Sequence, residues 1–148
     1  MIGYKKSEAE LKAECSVQEI AEAQNYLCGY RLCVEMLHLR RYERKRAASF
    51  DGPEDCQELL GGSEALWKLR MRQIHTLISN MKNGREKLIL YYRYVRGESI
   101  ESASNLIGIS RRTAYRMHQR GLMIVALMRR AQKASEAKLE NLFSPTHE

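Results

Sequence analysis

From Ser16 to Ser49 the chain meets no proline and one isolated glycine, Gly29, while its apolar residues recur at spacings of three and four. Ile20, Ala23, Leu27, Tyr30, Val34 and Leu37 then share one narrow strip of a helix, the seam of a coiled-coil-like packing. "SVQE" at 16–19 starts that helix in capping-box form, with Ser16 as the cap and Glu19 answering it. The seam runs into Arg41 and Arg44, so the apolar contact is expected to end near His38. A strip this narrow cannot bury itself. It requires a partner helix.

The stretch "FDGPEDCQELLGGSE" at 50–64 is the clearest break, with Asp51-Gly52-Pro53 and Gly61-Gly62 as turn chemistry. Ser63 is expected to open a second helix to about Lys82, whose Trp67, Met71, Ile74, Ile78 and Met81 form a matching seam. Together the two seams predict an antiparallel helix pair, formed within the chain or across a homodimer.

Composition agrees with a helical protein. Leu, Ala, Met, Glu, Arg and Lys are plentiful, only two Phe and one Trp are present, and the β-branched runs that strands favour are missing. Net charge is +7, a balance that suits nucleic acid or another acidic surface. Cys15, Cys28, Cys33 and Cys56 show no C-x-x-C spacing, and His38, His75, His118 and His147 show no ligand spacing with them. No structural zinc and no other cofactor is expected. The opening "MIGYKKSEAE" lacks an apolar core, and no apolar stretch approaches the roughly 18 residues that span a bilayer. The expectation is a cytoplasmic protein with reduced thiols and no membrane contact.

"KNGRE" at 82–86 divides this N-terminal extension from the last third. There "REKLILYYRYV", "IESASNLI" and a long helix from Arg111 to about Leu142 are separated by short turns, a helix-turn-helix pattern. Ala103 and Ser104 are small where the middle helix must approach a neighbour. Gly108 stands where the turn needs a left-handed residue, which a side chain disfavours by roughly 1–2 kcal/mol. Ile109 is expected to plug the turn into the core. Ser110 is a good N-cap whose hydroxyl can also reach a phosphate.

The long helix divides into two faces. Ala114, Met117, Gly121, Ile124, Val125 and Met128 recur at threes and fours as a buried face. Arg111, Arg112, Tyr115, Arg116, Gln119 and Arg120 lie opposite, with no acid among them. Arg pairs with guanine edges, Gln with adenine, and Tyr with backbone or a thymine methyl. With Ser110 and Thr113 at the start of the helix, these are the candidate DNA-binding residues. The helix dipole adds positive potential at the same end.

The segment from about Met81 to Arg130 resembles region 4 of bacterial sigma-70 factors, and more closely the ArpU-like late transcription regulators of Gram-positive phages. The resemblance rests on "REKLILYYRYVRGESI" and on "ISRRTAYRMHQRGL", which matches the family's S-R-R-T-x-Y-R-x-H pattern. It covers about a third of the chain. Two positions depart from the family: Ile100-Glu101-Ser102-Ala103-Ser104 stands where Trp-x-x-Ile-Ala is usual, and Gly121 stands where Ala is usual. Both are expected to loosen the packing. The resemblance implies a sigma-like activator of late genes in a bacterial host cell, with promoter DNA and RNA polymerase as partners.

The sequence therefore predicts an all-α chain: a helical dimerisation or docking region at 1–82 with a linker at 50–63, a DNA-binding module at 83–132, and a helix end and tail at 133–148. The rival reading is a protein-interaction module that docks on RNA polymerase or another protein, with DNA binding incidental. "HLRRYERKR" at 38–46 reads as a solvated helix end before a phosphate-contacting arm, and Tyr91, Tyr92, Tyr94 and Trp67 as core before base-stacking residues. The two aspartates, Asp51 and Asp55, fall in the linker, and no phosphate loop, nucleophile elbow or H-E-x-x-H is present. No enzyme is expected.

Overall fold

The computed structural model describes residues 7–49 and 55–143, with side chains at 7–46 and 64–142. Within these the chain is all-helical and contains no strand: α1 (Glu8–Glu14), α2 (Val17–Ser49), α3 (Asp55–Ser79), α4 (Arg85–Leu90), α5 (Ile100–Ile107) and α6 (Arg111–Phe143). A wider π-helical turn over Tyr91–Val95 continues α4. No helix among the described residues is long and apolar enough to cross a membrane.

The start of α2 follows from its capping box, whose two bonds are both made. The Glu19 amide donates to Ser16 Oγ at 3.1 Å, and the Ser16 amide to Glu19 Oε1 at 3.3 Å. Ala23, Leu27 and Leu37 of the expected seam are buried, and Ile20, Tyr30 and Val34 are half-buried. Their partner is α3 of the same chain. Arg44 meets Glu64, Arg40 lies over Trp67, and Gly29 faces Ile74, so the two helices run antiparallel. This contact consumes the seam inside the chain, so the seam supplies no argument for a second copy. In the 38–46 run Arg40 and Arg44 reach α3, and every residue but the half-buried Arg40 is exposed.

Helix α3 differs from expectation at both ends. It begins at Asp55, continues through Gly61-Gly62, and stops at Ser79 rather than near Lys82. Glycine costs about 1 kcal/mol per position in a helix but keeps its amide donor, so good helix formers on either side can carry it. The linker thus shortens to 50–54, which lies outside the described residues, and Asp55 belongs to the helix.

Helix α1 was not expected. It is short, with one large apolar residue inside it, Leu11, which is fully buried. Ser7 caps it, and Cys15 beyond its end donates its thiol to the Met123 carbonyl at 3.5 Å. These contacts lay α1 along α6.

Helix α6 corrects the two-faced reading most clearly. Leu122, Met123, Ile124, Val125, Ala126 and Leu127 are six consecutive residues, all at most 5% exposed. Six residues turn through more than a full circle, so the helix is covered on every side there. The extension supplies much of the cover: α1 and α2 pack on α6 along with α4. One core joins Leu11, Ala23, Leu27, Ile74 and Ile78 to Leu90, Tyr94 and the middle of α6. The boundary expected at 82/83 is a turn, not a division between cores. Burial of each large apolar side chain here contributes about 1.5–3 kcal/mol. Gly121 does not loosen this packing, because a Cβ there would sit 3.0 Å from Leu90 Cγ. The leucine fills the space that the glycine leaves.

The tyrosines after α4 are core and interface residues. Tyr94 is 2% exposed, Tyr91 and Tyr92 are half-buried, and Tyr91 makes edge contacts with His75 and Tyr92.

Candidate nucleic-acid interface

A second, smaller cluster sits under the first turns of α6. Ile89, Ala103 and Ala114 are its buried centre, with Tyr92, Ile100, Ile107, Ile109 and Met117 packed around it. Small side chains at 103 and 114 allow α5 and α6 to approach closely. Ser99 caps α5 by accepting from the Ser102 amide at 3.1 Å. Gly108 ends it with φ +81°, in the left-handed region that favours glycine. The amides of both Gly108 and Ile109 donate to the Ser104 carbonyl at 3.0 Å, closing the turn. Ile109, half-buried, pins the turn to the cluster.

Ser110 then caps α6. Its Oγ accepts from the Thr113 amide at 3.2 Å and donates to Thr113 Oγ1 at 2.8 Å. The serine hydroxyl expected to reach a phosphate is thus spent within the cap. The Thr113 hydroxyl proton remains available beside it. The amides of Arg111 and Arg112, in the first turn, have no helical acceptor and point out of the N-terminus.

The candidate side chains separate into two groups. Arg111 and Arg112 are exposed and make no ion pair or side-chain hydrogen bond among the described residues. The others have neighbours that a reading of α6 alone misses. Tyr115 is 46% exposed, and its hydroxyl donates to Glu101 Oε1 on α5. That bond holds the Glu101 carboxyl below the usual carboxylate range and raises the Tyr115 phenol. Arg116 stands 3.8 Å from Glu8 of α1 with both groups well exposed, a contact worth little in water. Arg120 is mostly buried and bonds Glu86 of α4 at 2.9 Å through Nε. It is a strut between α4 and α6. Gln119 is half-buried on the flank.

The strip is therefore cation-only along α6 but not in space. Acids from three other helices meet it at Glu8, Glu86 and Glu101, and its unpaired charge narrows to Arg111 and Arg112, with Arg116 loosely held. No periodicity within α6 could reveal partners that come from elsewhere. His118, the last residue of the S-R-R-T-x-Y-R-x-H pattern, points inward and bonds Tyr94 across 2.7 Å. Among the described residues no three of His, Cys, Asp and Glu gather as a metal ion would require. No protein-family model, no curated protein and no solved structure matches this chain.

Proposed function

We propose that the chain binds duplex DNA through the first turns of α6 and regulates transcription, as a sigma-like activator of a phage or mobile element. The observation that carries this reading is the pair of unpaired guanidinium groups, Arg111 and Arg112, on the exposed first turn of a helix fixed from beneath. Glu101 lies near enough to feel the charge of Arg111 but is bonded to Tyr115. The repulsion between the two guanidinium groups is therefore offset only in part, and an anionic partner would relieve it. The positive helix end adds to the same potential, and the face that Arg111, Arg112, Tyr115 and Arg116 expose on the first turns suits a major groove about 12 Å wide. The resemblance to sigma region 4 points the same way, on the motif "SRRTAYRMH" that contains these two arginines. RNA polymerase is then the natural second partner.

In this reading the candidate residues have distinct tasks. Arg112 and Arg116 read base edges, Arg111 and Thr113 hold phosphates, and Tyr115 is oriented by Glu101. Ser110 and Arg120 hold the helix in place. Fluorescence anisotropy on a duplex at moderate salt tests it. Arg111→Ala with Arg112→Ala should weaken binding, relax one base position and flatten the salt dependence by about one phosphate contact. If the double variant binds duplex as the parent does and the parent still captures purified RNA polymerase, the helix serves a protein partner instead.

A further inference from the structure

Helix α1 runs along α6 in the same sense, with Glu8 at Arg116 and Cys15 at Met123. Helix α2 returns beside α6 in the opposite sense. Glu19 bonds Arg130, the Glu22 carbonyl accepts from Arg129 at 3.4 Å, and further along Arg31 meets the turn before α5. A Cβ at Gly97 would stand 2.9 Å from Arg31 Nε, so the guanidinium is laid on the backbone of that turn. Gly97 precedes the Ser99 cap of α5 by two residues, and Glu101 in the first turn of α5 holds the Tyr115 hydroxyl. Arg31 thus marks an edge of the candidate interface. It is half-buried and forms no ion pair or hydrogen bond among the described residues.

Beyond Arg31, α2 continues to Ser49. His38, Tyr42 and Lys45 follow Arg31 in line on one side of the helix, and all three are exposed, Tyr42 at 62%. Arg41 and Arg46 flank that line, exposed and without an ion pair among the described residues. The acids nearby are largely engaged. Glu43 is bonded to Arg40, Glu64 to Arg44, and Glu98 in the turn accepts from the Ser102 hydroxyl. Glu35, one turn after Arg31, is exposed and forms no ion pair with these cations.

We propose that this side of α2, from Arg31 to Arg46, is an arm that holds the phosphate backbone of duplex DNA beside the segment read by α6. The inference rests on the DNA reading above and adds a contact outside the helix-turn-helix module. Two observations name the occupant. The strip is cationic and carries guanidinium, imidazole, phenol and ammonium groups, all of which bond phosphate oxygens. It also begins at the edge of the candidate interface and leads away from it, as a duplex seated on α6 would. Arg31 to Arg46 covers about 22 Å of helix, the length of about six base pairs. Such contacts add affinity and carry no sequence information.

Fluorescence anisotropy of the full chain tests it, with the motif that the parent selects from random duplex DNA. One duplex ends at the motif, and a second extends about ten base pairs beyond it on both sides. The parent should bind the extended duplex about tenfold tighter. Arg41→Gln with Arg46→Gln changes two exposed side chains, so circular dichroism should be unchanged. This variant should lose the gain from the extension and lower the salt slope by about two, while selecting the same motif. A parent indifferent to the extension, or a variant that keeps the parent's slope, overturns the arm and leaves the reading by α6 standing. A variant that selects an altered motif overturns it as well, because phosphate contacts would not do that. A parent that selects no motif from duplex DNA overturns the underlying reading and the arm together.

Discussion

His118 sits on the helix offered to DNA yet is 9% exposed, with its ring stacked at 5.7 Å on Tyr94 and Nε2 bonded to the Tyr94 hydroxyl. Burial, with the charge of Arg93 adding to it, pushes the imidazole down to about 4. Burial likewise raises the Tyr94 phenol to about 12, so both members of the pair are neutral in the fold. In the unfolded chain a histidine titrates near 6.5. Below that value the unfolded chain takes up a proton that the folded chain refuses, so stability falls as pH falls from about 6.5 to about 4. A gap of about 2.5 units corresponds to about 3 kcal/mol in full, of which about 2 kcal/mol is lost by pH 5. Urea denaturation at pH 7 and pH 5 measures this against His118→Gln. Glutamine keeps a donor and an acceptor for Tyr94 but does not titrate, and the cost of its smaller volume cancels between the two pH values. The parent should lose about 2 kcal/mol more than the variant over this interval. Equal losses would refute the assignment of a buried neutral imidazole.

Gly121→Ala should destabilise by about 1–3 kcal/mol in thermal or urea melts, because its Cβ would press on Leu90 at 3.0 Å. In a Leu90→Ala background the same change should cost clearly less, and simple additivity would count against the contact. Gly108→Val has open space for its side chain, so its expected cost of about 1–2 kcal/mol comes from φ +81° alone. An unshifted melting temperature would contradict that account. Arg112→Ala should reduce specific binding by about 1–3 kcal/mol and relax preference at one base position, read from a competition series of altered duplexes.

Much of this fold is legible in the sequence where the cause is local. The capping box at Ser16, the left-handed turn at Gly108 and the cap at Ser110 each depend on a few neighbouring residues, and each forms as its residues dictate. The α2 seam is legible because spacing of three and four has few other meanings over so long a stretch. Local reasoning loses its hold where helices meet. Leu11 is the one large apolar residue of α1, and only its place against α6 makes α1 part of the core. Leu122 to Leu127 read as one buried face plus spare apolar residues until α1 and α2 close over the other side. Gly61-Gly62 carries a turn signal that the flanking helix formers override. The same limit applies to the candidate interface. Arg111 and Arg112 are as exposed as the pattern implies, but the tie of Arg120 to Glu86 spans 34 residues. No spacing rule within α6 can anticipate it.

The central claim, duplex recognition by the first turns of α6, is tested most directly by selection from a random double-stranded DNA library at near-physiological salt. The parent protein should enrich a defined motif, and Arg112→Ala should recover that motif with one base position relaxed. Recovery of no motif above the starting library, or of an identical motif by parent and variant, would contradict the account.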